Sequence, residues 1–190
     1  MLVQEVDRVG EQLNTVGHVL TSFEALGINQ YERLAVDLVN AVEDTDQYRE
    51  AAENGRSGML MFREDEPLKA GRLLAEPVFE ILFADKPEAI TAMGMYAINH
   101  YEVGDFFNPH QDHFDGTVVI MTPLGRRQLD IYRPEAEDDV FTEVTDTYDL
   151  VKGSIMLLNG YKNLGHAAKC TEGPSLSVVA DVPMMVGEHA

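Results

Sequence analysis

The chain has no tryptophan, a single cysteine, and only 14 basic side chains against 33 acidic ones in 190 residues. Each shortage removes a class of protein. Cys170, standing alone, forms no internal disulfide, so the fold rests on its core, as suits a reducing compartment. Near a strand-like stretch it reads as a small buried hydrophobe. A formal net charge of −19 denies the chain the basic surface that displaces counterions from phosphates. That argues against DNA or RNA as a partner and favours small or cationic ligands. No segment approaches about 18 unbroken apolar residues, and Met1 to Gly10 is polar and acidic where a signal peptide would be apolar. The expectation is a soluble, cytoplasmic protein with no membrane partner. Repeats, heptads and low-complexity tracts are also missing, and oligomeric state is not legible.

What is present is enough apolar material, 45% of the residues, for one domain spanning 1–190. The pattern changes once. From about Glu5 to Glu88 it is mainly helical: Tyr31, Leu34, Ala35, Leu38, Val39 and Val42 recur at helical spacing behind Asn29, a candidate cap. A second helix is expected across Leu73 to Phe83, beginning near Glu76 so that Pro77 falls in its first turn. Asp44 to Lys69 reads as a long polar loop.

From Met93 onward, short apolar or alternating runs predict strands at Thr117 to Met121, Gln128 to Tyr132, Ser154 to Leu158 and Leu176 to Ala180. Turn signals at Pro123-Leu124-Gly125, Lys152-Gly153 and Glu172-Gly173-Pro174 separate them. The fold class is therefore mainly β with an α layer: a sandwich or jelly-roll barrel over residues 93–183, behind a helical region over 1–92. Pro134 to Asp149 holds seven carboxylates and no basic residue, and reads as a solvated loop and strand face.

Chemistry concentrates in Asn99 to Asp112, which ends in His110-Gln111-Asp112 and is answered 54 residues later by His166. Residues two apart on a strand face one side, so His110 and Asp112 can point together into a barrel mouth while Gln111 points away. His166, after the turn Asn159-Gly160-Tyr161, enters from a distant strand. Two imidazoles and one carboxylate on one face of an iron ion leave the opposite positions open for substrate and dioxygen. His113 is the rival ligand. His100 reads as a group near the metal or facing substrate, with Asn99 and Gln111 beside it as candidate substrate contacts. His18 and His189 receive no role.

The residues Asn99-x-Tyr101-x-x-Gly104 leading into His110-x-Asp112, then Gly153-Ser154-x-x-Leu157-x-x-Gly160 and His166, resemble the core of the Fe(II)/2-oxoglutarate-dependent dioxygenase superfamily. Its isopenicillin N synthase-like and prolyl hydroxylase-like members are the relevant ones, and the likeness covers about Met93 to Pro183. It implies a double-stranded β-helix of the cupin-like kind, ferrous iron on His110, Asp112 and His166, and 2-oxoglutarate as cosubstrate. The carboxylate of Asp112 argues against halogenation, which in that superfamily goes with alanine or glycine there.

One part of the family pattern is missing. The cation that should hold the far carboxylate of 2-oxoglutarate, about ten residues past the second histidine, is replaced by Gly173-Pro174-Ser175-Leu176-Ser177-Val178, and no arginine follows Arg133. Either another cation substitutes or 2-oxoglutarate is not used, since a desolvated carboxylate needs a charged partner. Arg126 and Arg127 are the substitutes; Arg127 shares strand parity with Leu129, Ile131 and Arg133. Tyr101, Ser175 and Ser177 complete the candidate cosubstrate contacts. Three functions remain open: a 2-oxoglutarate-dependent oxygenase acting on a C–H bond of a small molecule, a cosubstrate-independent iron oxidase, or a non-catalytic barrel with a vestigial site.

Overall fold

The computed structural model describes residues 2–43, 60–61, 66–112, 115–133, 141–162 and 164–186. Four helices come mostly first: α1 (Leu2–Thr15), α2 (Tyr31–Glu43), α3 (Glu66–Leu82) and α4 (Pro87–Ala92). The strands are β1 (His18–Ser22), β2 (Leu60–Met61), β3 (Gly94–Tyr101), β4 (Phe106–His110), β5 (Thr117–Tyr132), β6 (Val144–Val151), β7 (Ser154–Asn159) and β8 (Gly165–Val182). No described helix is long and apolar enough to cross a membrane.

Two strands organise everything else. β5, with 16 residues, and β8, with 18, pair antiparallel along their whole length, from Thr117 opposite Val182 to Tyr132 opposite Gly165. At one end of this ribbon the sheet continues as β1-β7-β5-β8-β3-β2; at the other, β6 flanks β5 and β4 flanks β8. The ribbon folds over between these halves, where its register slips around Leu124 and Arg126. Gly125 permits the fold-over: its φ is +76°, and a Cβ there would stand 2.5 Å from the Pro174 carbonyl oxygen.

Alternation along the strands separates two cores. Val119 and Met121 of β5, with Val178, Ala180 and Val182 of β8, bury against the helices, where Leu13, Leu38, Leu74 and Phe79 meet them. Their neighbours Val118 and Ile120 face the other way, into the space between the two halves, against Leu129, Ile131, Leu150 and Ala168. Burying each such aliphatic side chain stabilises by about 1.5–3 kcal/mol, which is why the ribbon folds over rather than staying flat.

The fold class and the helical layer match the sequence expectation, with corrections. The strands form a double-stranded β-helix arrangement, but the hydrogen-bonded path does not close into a barrel. The flank between β1 and β6 is bridged by side chains instead: the Tyr148 hydroxyl and His18 Nδ1 share a hydrogen bond at 2.9 Å, and His18 Nε2 faces Asp146 at 3.3 Å. β1 is a strand inside the stretch whose pattern is mainly helical; it pairs with β7, His18 opposite Leu158. Helix α3 starts ten residues before Glu76, leaving Pro77 inside it. The N–H that Pro77 lacks would have served the carbonyl of Leu73, a residue on the exposed side of the helix. The first bonds of α2, from the Arg33 and Leu34 N–H groups, go to the Gln30 carbonyl, one residue after Asn29. Pro123-Leu124-Gly125 and Glu172-Gly173-Pro174 are not turns between strands but bends within β5 and β8. Lys152-Gly153 is the true turn, with Gly153 at φ +90°. The expected loop from Asp44 lies largely outside the described residues, as does the 134–140 part of the acidic stretch.

Candidate metal centre

His110 closes β4 and His166 stands second in β8, directly opposite each other across the strand pair. Facing positions on an antiparallel pair share a side, so the two rings meet, with centroids 4.2 Å apart. Asp112 completes the cluster from the segment after β4, since the strand ends at His110 rather than running through Asp112 as the spacing suggested. Its two carboxylate oxygens face the two imidazoles: Oδ1 lies 3.5 Å from His110 Nε2 and Oδ2 lies 3.6 Å from His166 Nε2. One donor atom from each residue falls within 4.8 Å of the others. An ion bonded at about 2.1 Å to donors at right angles holds them roughly 3 Å apart, so a small inward movement closes this set on a metal.

The protonation pattern suits that role. The Asn108 carbonyl accepts from His110 Nδ1 at 2.9 Å, which leaves Nε2, on the Asp112 side, available as a metal ligand. Burial pushes the His166 imidazole down to about 4, keeping it a neutral donor at physiological pH. Its Nδ1 is buried with no hydrogen-bond partner. Phe107 stacks on the His110 ring at 3.7 Å between centroids, fixing its plane. The donor set and its geometry fit a divalent iron with one face left open.

Below this mouth the interior becomes polar again. Arg127, opposite Cys170, is 2% exposed, and its Nη2 donates to Thr122 Oγ1 at 2.9 Å. Its Cζ lies 5.4 Å from the centre of the Tyr101 ring, and its buried Nε has no partner. Among the described residues no carboxylate pairs with this guanidinium, and burial lowers its basicity. Ser175, opposite Tyr101, donates to the Leu124 carbonyl at 3.0 Å, and Ser177, opposite Asn99, accepts from Asn99 Nδ2 at 3.2 Å. Asn99 Oδ1 is buried and unpartnered. All five side chains are buried.

The structure therefore gathers His110, Asp112 and His166 at one level and Arg127, Tyr101, Ser175, Ser177 and Asn99 at another. It does not bring Arg126 in: that side chain faces outward and is held by the carboxylate of Asp149. Arg133, despite sharing parity with Arg127, is exposed beside Glu143. His100 lies on the other face of β3 from Asn99 and Tyr101, with its Nε2 3.9 Å from Glu102. Gln111 is half-buried between the two ligands. His113 and His189 lie outside the described residues. Cys170 is buried as expected. Thr122 and His18 were missed by the sequence reading. Thr122 was within reach, because it shares strand parity with Val118 and Ile120; His18 depended on a strand that carried no recognisable run.

No protein-family model matches this sequence, and no curated protein does. Solved structures match it by shape. A prolyl hydroxylase from Trichoplax adhaerens, in complex with a hypoxia inducible factor oxygen degradation domain peptide fragment, aligns with TM-score 0.63 and 14% identity over 95% of this chain and 90% of that one. A prolyl-4-hydroxylase from Pseudomonas putida aligns with TM-score 0.52 and 19% identity over 96% and 98%. The ribosomal oxygenase YcfD from Escherichia coli, in complex with cobalt and succinic acid, aligns with TM-score 0.51 and 16% identity. That match covers 73% of this chain, which spans only 34% of the YcfD chain. The fold of this chain is the double-stranded β-helix fold of these oxygenases.

Proposed function

We propose that this chain is a non-haem iron oxygenase that uses 2-oxoglutarate and dioxygen to oxidise a C–H bond of its substrate. The observation that carries the proposal is the pairing, in one interior, of an open two-histidine, one-carboxylate set with a buried guanidinium that no carboxylate among the described residues engages. Cys170, the cross-strand neighbour of Arg127, is four positions from His166 along β8. That is roughly 13 Å of strand, a span that the Arg127 side chain and a five-carbon dicarboxylate together can bridge.

In this reading His110, Asp112 and His166 hold Fe(II), which when bound supplies the oxygen activation. The residues of the chain do the rest. Arg127, oriented by Thr122 and covered by the Tyr101 ring, anchors the far carboxylate through charge-assisted hydrogen bonds. Ser175 and Ser177 offer hydroxyls beside it. Leu129, Ile131 and Ala168 line the space between anchor and metal and exclude water, which strengthens each polar contact within. Arg127 takes the place of the cation absent after His166, so the cosubstrate-independent oxidase loses its main support. The substrate expected from the sequence is a small molecule. Likeness to a hydroxylase solved with a peptide fragment favours a second reading, in which a residue of a protein or peptide enters the mouth.

The test is anaerobic titration of the Fe(II)-loaded protein with 2-oxoglutarate, following the visible charge-transfer band that bidentate chelation of iron produces. The band is expected in the wild type and absent in His110→Ala, Asp112→Ala and His166→Ala, each of which also loses most of its iron. Full iron occupancy in all three variants would sink the metal centre. A wild type that holds iron but shows no band, yet consumes dioxygen, would restore the oxidase reading.

A further inference from the structure

One carboxylate inside this mouth belongs to neither the metal set nor the anchor. Asp181 lies near the end of β8, opposite Gly94 of β3 and Val118 of β5. Its neighbours Ala180 and Val182 point to the helices, so Asp181 faces the interior with Val179 and Ser177. The folded ribbon brings it to the metal set: Val118, opposite Asp181, packs in one cluster with Ile131, opposite His166. Gly94 makes room for it: a Cβ there would stand 2.2 Å from Asp181 Oδ1. Among the described residues no cation pairs with this carboxylate, and burial raises its pKa.

An ionised carboxylate in such a half-buried place is costly without a partner. 2-Oxoglutarate is no partner, being a dianion that Asp181 repels toward Arg127. Asp146, on the opposite flank of the mouth, is already engaged by His18. The group left to meet Asp181 is on the other substrate. Resting on the metal-centre reading above, we infer that Asp181 is the residue that selects the substrate, and that the substrate presents a cationic nitrogen, an ammonium or a guanidinium, beside the metal. The net charge of −19 draws such a molecule in and repels anionic competitors.

The probes for the test are tripeptide mixtures with arginine or lysine at the centre, and the same mixtures with citrulline or norleucine there. Binding is read from the broadening of probe NMR lines by Mn(II) at the triad, with Zn(II) as the diamagnetic control. Cationic mixtures are expected to bind about tenfold more tightly than neutral ones, with the margin shrinking in high salt. Asp181→Asn should erase the preference while holding Mn(II) as the wild type does, and Asp181→Glu should keep it. Equal binding of cationic and neutral mixtures by the wild type, no binding of the cationic ones, or a preference that survives in Asp181→Asn would overturn the inference. The wild-type comparison decides it even if the variants fold poorly. If the wild type does not hold Mn(II), or His166→Ala holds it equally, the metal-centre reading fails instead, and backbone amide shifts then report probe binding at Asp181.

Discussion

Arg127 is a costly residue to bury, and that cost is the reason to read it as functional. Of two adjacent arginines the strand parity in the sequence favours Arg127, and the side chains divide that way: Arg126 turns out to Asp149, while Arg127 turns in to Thr122 and Tyr101. Replacing Arg127 by methionine keeps the volume and removes the charge. Without cosubstrate this change is expected to leave the melting temperature unchanged or raise it, because an unpaired buried charge is gone. With 2-oxoglutarate, binding measured by calorimetry should weaken by about thirtyfold, the equivalent of roughly 2 kcal/mol, while iron affinity stays put. A melting temperature that falls sharply in the absence of 2-oxoglutarate would mean that the guanidinium is structural. His166 carries a second residue-level expectation. Its imidazole is held down to about 4 in the fold, against about 6.5 when unfolded, so between those values the unfolded chain binds the extra proton. Metal-free protein should lose on the order of 3 kcal/mol of stability as pH falls from 6.5 to 4, and none of that loss should occur above 7. His18, also pushed down by burial, adds to the loss in the same direction. Urea denaturation of His166→Gln across this range, if as pH-dependent as the wild type, would refute the assignment.

At the scale of elements the fold depends on two strands bending at the same place. Gly125 of β5 and Pro174 to Ser175 of β8 approach so closely that alanine at 125 meets both a left-handed backbone angle and the Pro174 carbonyl. Gly125→Ala should cost at least about 2 kcal/mol in urea denaturation. A wild-type midpoint would show that the fold-over tolerates a side chain there. The same bends explain what the sequence left illegible. Pro123-Leu124-Gly125 and Glu172-Gly173-Pro174 carry turn chemistry, and turn chemistry is local. Whether the chain reverses or merely bends is decided by the partner strand, which here bends in step and keeps the pairing on both sides. By contrast the α2 periodicity and the alternation through Leu129 and Ile131 are properties of one segment at a time, and those read correctly; the His-x-Asp pair does come together with His166, but with Asp112 beyond the end of its strand. β1 was missed for the complementary reason: five residues become a strand only because β7 offers an edge.

For the whole molecule, the excess of 33 acidic over 14 basic side chains sets what can approach it. Fluorescence anisotropy with single- or double-stranded DNA at physiological salt should show no binding, and micromolar binding there would contradict the reading of the surface. The sheet stays open between β1 and β6, and the His18, Tyr148 and Asp146 contacts close that flank without backbone pairing. The folded ribbon has one more consequence. Because His166 and Cys170 sit on a single strand, and Arg127 faces Cys170 across a single register, the interval from His166 to Arg127 is ruled off in residues of β5 and β8 alone. In the proposed function that interval is a fixed gauge for the length of the oxoacid. Insertions between other elements can reshape the rim, and with it the choice of substrate, without recalibrating that gauge.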